Sequence, residues 1–126
     1  GKSVSEIFIE DGEAHFRLVE ETVVIDALIS ETGVLSLGGG AVMNSEVQKV
    51  LTKSPAKKVF LDISLAAVAP RVGFDSARPL LMVNPRQKWM ELMNERRATY
   101  ESLSDLQIEV SDLTIDEIVS KIAEKL

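Results

Sequence analysis

The sequence predicts an α/β fold built on a parallel sheet with helices on both faces. Two observations carry that reading. Apolar strand-like runs alternate with helical stretches along the chain. The runs VLSL (residues 34–37) and VFLDI (residues 59–63) are almost wholly apolar, the pattern of strands buried on both sides. A third observation places the chemistry: three glycines, Gly38, Gly39 and Gly40, follow VLSL directly, at the carboxyl end of the expected sheet.

The elements follow in order. Residues 3–9 read as a short helix. From Gly12 to about Ser30, Phe16, Val19, Val23 and Ala27 recur at helical spacing and predict a longer helix. VLSL reads as a buried strand stopped by the glycines. Asn44 and Ser45 can cap a helix running to about Lys53, and Ser54-Pro55 breaks it. KVFLDI (residues 58–63) is the second strand, followed by a helix from Ser64 to about Arg71. Residues 72–85 hold Gly, Asp, Ser and two prolines and read as a loop. A helix of about 20 residues follows, from Arg86 to Asp105. LQIEV (residues 106–110) is the third strand. Thr114 caps the last helix, with Glu117 completing a capping box.

The totals narrow the function classes. The chain has 126 residues, 45% hydrophobic and 27% charged, as in one ordinary globular domain. It has no run of about 18 apolar residues, so no membrane span is expected. Cysteine is absent and histidine occurs once, which excludes disulfides and disfavours zinc. The net charge of −6 argues against general nucleic-acid binding. Five of the six arginines fall between positions 71 and 97, while the last 26 residues carry seven acids and two lysines. Clustered arginines suit a carboxylate or phosphate site. A solvated helix face laced with salt bridges explains them equally well.

Four stretches bear on chemistry. Glycines after a parallel strand let the backbone approach a ligand, or simply make a tight turn. Arg17 and Glu20 lie three apart on one helix face, as a site pair or an ordinary surface ion pair. His15 has no partner at recognisable catalytic spacing. Asp62 ends an apolar strand and superficially resembles a magnesium-holding acid, but a helix cap or turn residue is the favoured reading. The loop around Arg78 precedes a long helix and suits either a phosphate lid or a surface turn.

Taken together, Gly1, Ser3-Val4, Ile7-Phe8, Gly12-Glu13, Phe16-Arg17, Glu20, SLGGGAV, Arg71, the stretch Ala77 to Leu81, Arg96 and Tyr100 resemble shikimate kinase across essentially all of the chain. The resemblance answers what the opening GKS is. It matches the start of a shikimate-binding segment (about residues 1–32) rather than the end of a phosphate loop, which must follow a buried strand. The family's phosphate loop and its Asp-x-Asp motif would lie before Gly1. The implied fold is P-loop NTPase-like, of the nucleoside monophosphate kinase type, here lacking the first two strands of a sheet ordered 2-3-1-4-5. Residues 1–126 then form one kinase domain with a lid over about 71–85.

The resemblance also implies roles. Arg17 and Arg96 would hold the shikimate carboxylate, with Glu20 orienting Arg17 and Phe16 walling the pocket. Gly38, Gly39 and Gly40 would present backbone N–H groups. Arg78 would reach the transferring phosphate, Arg71 would lie near adenine, and Ser36 would order a water of magnesium. The family pattern has proline where this chain has Ala98. ATP and Mg2+ are the implied cofactors, in a cytoplasmic monomer. The activity implied is transfer of the ATP γ-phosphoryl group to the shikimate 3-hydroxyl, in the pathway to chorismate and the aromatic amino acids, with the 126 residues by themselves inactive. A catalytically dead module of the same family and a domain cut from a fused pathway enzyme are the alternatives.

Overall fold

The computed structural model describes residues 1–72 and 84–126. The expected lid loop and Arg78 lie outside them, as does the Arg71 side chain. The described chain divides into two units, one of Gly1–Pro55 and one built on residues 56–72 and 84–126.

The first unit is helical. Ser3 accepts a hydrogen bond from the Glu6 N–H at 3.1 Å, and the Glu6 carboxylate accepts from the Ser3 N–H at 3.2 Å. This capping box starts α1, Val4–Glu10. Gly12, at φ +85°, takes a backbone conformation that side chains disfavour and lets the chain turn at once into α2, Gly12–Ser30. The buried stripe of α2 differs from the one the apolar spacing predicted. Val24 is buried, whereas Val19 and Val23 are exposed, Val23 to 60%. Phe16, Glu20, Glu21, Ala27 and Leu28 are half-buried beside Val24. Two acids therefore occupy the inner face, which displaces the apolar pattern.

VLSL is not a strand. It forms no ladder among the described residues, and Val34 is fully exposed. A strand exists only where a neighbour takes its backbone hydrogen bonds, and the described residues offer this run none. Ala41–Met43 form a single 3₁₀ turn after the glycines, then α3, Ser45–Lys53, buries Val47 and Leu51. Asn44 caps α3 as expected, accepting from Glu46 N–H at 2.8 Å and Val47 N–H at 3.1 Å.

The second unit holds the sheet. Strands β1, Val59–Asp62, and β2, Leu106–Glu109, pair in parallel, Val59 opposite Leu106 and Asp62 opposite Glu109. Asp105 fixes one end: its carboxylate accepts the Lys58 N–H at 2.9 Å. The Lys58 carbonyl in turn accepts from the Asp105 and Leu106 N–H groups. Ser64 starts α4, Leu65–Val72, accepting the Ala67 N–H on its hydroxyl at 3.3 Å. Asn84 adopts the left-handed conformation (φ 46°) before α5, Pro85–Leu103. The residue before a proline avoids the right-handed helical region, and Asn tolerates the left-handed one. Thr114 and Glu117 form the expected capping box of α6, Ile115–Lys125. Ile108, Val110 and Ile118 make a core with Val59, Ile63, Leu113 and Ile122. Each fully buried aliphatic side chain of this kind contributes roughly 1.5–3 kcal/mol.

Candidate active site

Arg17 and Glu20 project from the inner side of α2 to the glycine turn, with Phe16 beside Arg17. Glu20 accepts a hydrogen bond from Arg17 Nη1 at 2.8 Å. Glu13 stands 3.9 Å from the other terminal nitrogen, an ion pair and not a hydrogen bond. Glu20 is only 14% exposed and Arg17 29%, so this is more than the surface pair the spacing alone allowed. The Arg17 guanidinium lies 5.3 Å from the Phe16 ring centre, and Phe16 packs on Phe8 at 4.8 Å between ring centres. Among the described residues only Nη1 is engaged by a carboxylate at hydrogen-bond distance, which leaves the planar fork donors toward an incoming anion there.

The glycines meet this pair at close range. A Cβ on Gly40 would stand 2.5 Å from Arg17 Nη1, 2.7 Å from Nη2 and 2.8 Å from Cζ. A Cβ on Gly38 would stand 3.3 Å from Glu20 Oε2. Gly40 itself has φ −88° and ψ −12°, which any residue can adopt. Glycine is favoured there by the space the guanidinium takes, not by backbone conformation. The turn is tied internally: the Gly38 carbonyl accepts the Ala41 N–H at 3.0 Å and the Gly40 carbonyl accepts the Met43 N–H at 3.1 Å. Gly39 lies in the same turn and is exposed.

In the second unit, α5 carries adjacent arginines with different surroundings. Arg97 donates to both Asp62 oxygens, at 2.8 and 3.0 Å. It also stands 5.8 Å from the Phe60 ring centre. The Arg97 guanidinium holds the Asp62 carboxyl below its ordinary value of 3.8, against the opposing effect of burial. Asp62 therefore anchors a helix arginine. The helix-cap role read for it belongs to Ser64, two residues on. Arg96 is half-buried and makes no ion pair with a described residue. Among the described residues the salt-bridged reading of the arginine cluster holds for Arg97, and no such pair is made by Arg96.

The structure brings together Phe16, Arg17, Glu20, Gly38 and Gly40 of the predicted set. Ser36 is exposed on the segment leading into the turn. Among the described residues no group of three or more His, Asp or Glu is placed to hold a metal ion. No described helix is long and apolar enough to cross a membrane. Sequence reasoning missed Glu21 and Arg97. Glu21 had one available signal: a second acid beside Glu20 on the face that had to turn inward.

The described residues thus give an α/β unit on parallel strands and, in the other unit, a guanidinium held against a glycine turn. The family model described as shikimate kinase matches residues 1–126. A shikimate kinase of Thermobifida fusca is 44% identical over all of this chain and 72% of its own length. That of Streptomyces coelicolor is 38% identical over 94% of this chain and 68% of its own. A solved shikimate kinase from Acinetobacter baumannii, in complex with shikimate, superposes with a TM-score of 0.93 at 28% identity, covering 99% of this chain and 70% of that one. The chain belongs to the shikimate kinase family, whose members are ATP-using transferases of the shikimate pathway.

Proposed function

We propose that this chain takes shikimate by its carboxylate on the Arg17 fork, with Arg96 as the second cationic contact. Glu20 orients the fork, Phe16 forms the apolar wall, and the turn of Gly38, Gly39 and Gly40 offers backbone N–H groups to the substrate. The observation that carries this reading is the Arg17–Glu20 pair seated where a Gly40 side chain would be. A carboxylate suits a guanidinium that is already oriented, because less freedom is lost on binding.

The reaction is phosphoryl transfer. The shikimate 3-hydroxyl oxygen bonds to the γ-phosphorus of ATP, the bond to the β–γ bridging oxygen breaks, ADP leaves, and the hydroxyl proton is released. Little of this chemistry is covalent work by the protein; positioning and charge stabilisation do most of it. Arg78, in the lid expected over about residues 71–85, would take the charge on the transferring group, and Arg71 would lie near the adenine. Magnesium would come with ATP as the phosphates' counterion, and Ser36 would order one of its waters. Residues 1–126 act as one kinase domain whose shikimate-binding segment is about 1–32, in a cytoplasmic monomer.

Titration of shikimate into the full chain and its Arg17→Ala variant tests the reading. Each charge-assisted hydrogen bond lost is worth about 1.5–3 kcal/mol, so affinity should fall by roughly tenfold to a hundredfold. Equal affinity of the two proteins refutes the assignment.

A further inference from the structure

Glu20 and Glu21 are neighbours on α2, and both are half-buried. Partly desolvated carboxylates need partners. Glu20 has Arg17. Glu21 accepts a hydrogen bond from Asn44 Nδ2 at 2.8 Å, across 23 residues of sequence. The same Asn44 presents Oδ1 to the Glu46 and Val47 N–H groups and so caps α3. Its own N–H donates to the Ala41 carbonyl at 3.3 Å. Gln48 adds a bond from its Nε2 to the Val42 carbonyl at 2.8 Å. Gly38 to Asn44 is therefore a short run bonded along its length, fixed to α3 at one end and to α2 through Glu21. Its other end leaves no room for a Cβ on Gly40 beside Arg17.

We propose that the Glu21–Asn44 hydrogen bond is a positioning latch that sets the gap between the glycine turn and the Arg17–Glu20 pair. The latch rests on the shikimate-site reading above. Neither residue is assigned a contact with the substrate. Each acts through the turn: Glu21 fixes where Asn44 sits against α2, and the bonded run from Asn44 back to Gly38 carries that position to Arg17.

Asn44→Asp separates the latch from the cap. Aspartate caps a helix as well as asparagine. It replaces the Nδ2 donor by an oxygen that repels Glu21. Glu21→Ala deletes the acceptor and leaves the cap whole. Glu21→Gln combined with Asn44→Asp restores one hydrogen bond with donor and acceptor exchanged. Shikimate and ATP kinetics are measured for each in the protein that also carries the expected phosphate-binding loop, with thermal melts.

A displacement near 1 Å at a binding group costs up to about a hundredfold, so Asn44→Asp and Glu21→Ala should lower kcat/KM for shikimate by roughly tenfold to a hundredfold. The KM for ATP should stay within about twofold, and the double variant should return to within about threefold of the parent. Asn44→Asp and Glu21→Ala at parental kcat/KM overturn the latch. So does a loss that the double variant fails to recover. If Asn44→Asp does not fold, Glu21→Ala decides alone, because its cap is intact. Arg17→Ala run in parallel separates the two failures. An Arg17→Ala variant with parental kinetics breaks the site reading. An impaired Arg17→Ala beside a parental Glu21→Ala breaks only the latch.

Discussion

Replacing Gly40 by alanine should damage substrate handling while leaving the fold intact. The new Cβ would stand 2.5 Å from Arg17 Nη1, and ordinary contact begins at 3.4 Å, so the guanidinium must retreat by about 0.9 Å. The atoms in the way are the far end of a flexible side chain, so the backbone need not move. Two small terms then act on stability. The Gly40 backbone at φ −88° accepts alanine without strain, and such a replacement stabilises by about 0.4–1 kcal/mol through the unfolded chain. Weakening the part-exposed Arg17–Glu20 pair costs about 0–1 kcal/mol. The sum is near zero, so Tm should stay within about 3 °C of the parent.

Binding has no such compensation. A retreat of that size moves the fork off the carboxylate, and misplacements near 1 Å cost up to about a hundredfold. Steady-state kinetics with shikimate varied at saturating ATP, alongside a thermal melt, gives both numbers on one preparation. The expected result is a loss of roughly tenfold to a hundredfold in kcat/KM for shikimate at nearly constant Tm. An alanine variant with parental kinetics refutes the steric reasoning. A variant that loses activity together with a large fall in Tm refutes the claim that glycine is favoured there by the guanidinium alone.

The adjacent arginines of α5 should separate by assay: Arg96→Ala raises the shikimate KM with little change in Tm, whereas Arg97→Ala lowers stability by about 1 kcal/mol, since its partly exposed pair with Asp62 is discounted by solvent. Urea denaturation of both variants checks this. Asp62 also predicts an acid limb. Its folded pKa is depressed, so its stabilisation is complete above the ordinary 3.8 and is lost as pH falls through the lower folded value; Asp62→Asn should flatten that part of the stability profile. Thr114→Ala removes the capping box of α6 and should cost about 1 kcal/mol with shikimate kinetics unchanged, read by thermal melting and initial rates.

The local signals in the sequence were realised nearly residue for residue. Asn44 caps α3 and Thr114 pairs with Glu117, because a cap needs only partners two or three residues away. Glu6 follows Ser3 at capping-box spacing in the same way. VLSL failed because apolar character makes a strand possible and only a pairing neighbour makes it real. The α2 stripe failed at Val19 and Val23 because apolar spacing assumes an apolar inner face, and here that face holds Glu20 and Glu21. Asp62 was misread because its partner Arg97 lies 35 residues on. Arg17, Glu20 and the glycines were legible through a joint pattern of order and spacing; their mutual clearance, which explains Gly40, is a three-dimensional quantity.

Both helices that carry proposed substrate contacts have an adjacent residue tied to the scaffold. On α2, Glu20 serves Arg17 while Glu21 holds Asn44. On α5, Arg96 carries no described ion pair while Arg97 holds Asp62. Consecutive helix residues point about 100° apart, so one helix can present one side chain to a ligand and the next to its own support. Such an arrangement fixes the roll of the helix at the very turn where the ligand contact arises. It follows that the two kinds of residue should tolerate exchange differently. A supporting pair can be rebuilt with donor and acceptor swapped, as in the Glu21→Gln, Asn44→Asp double variant. A guanidinium that must meet a carboxylate ligand has no partner in the chain with which to be swapped, so even Arg17→Lys should not recover the bidentate contact.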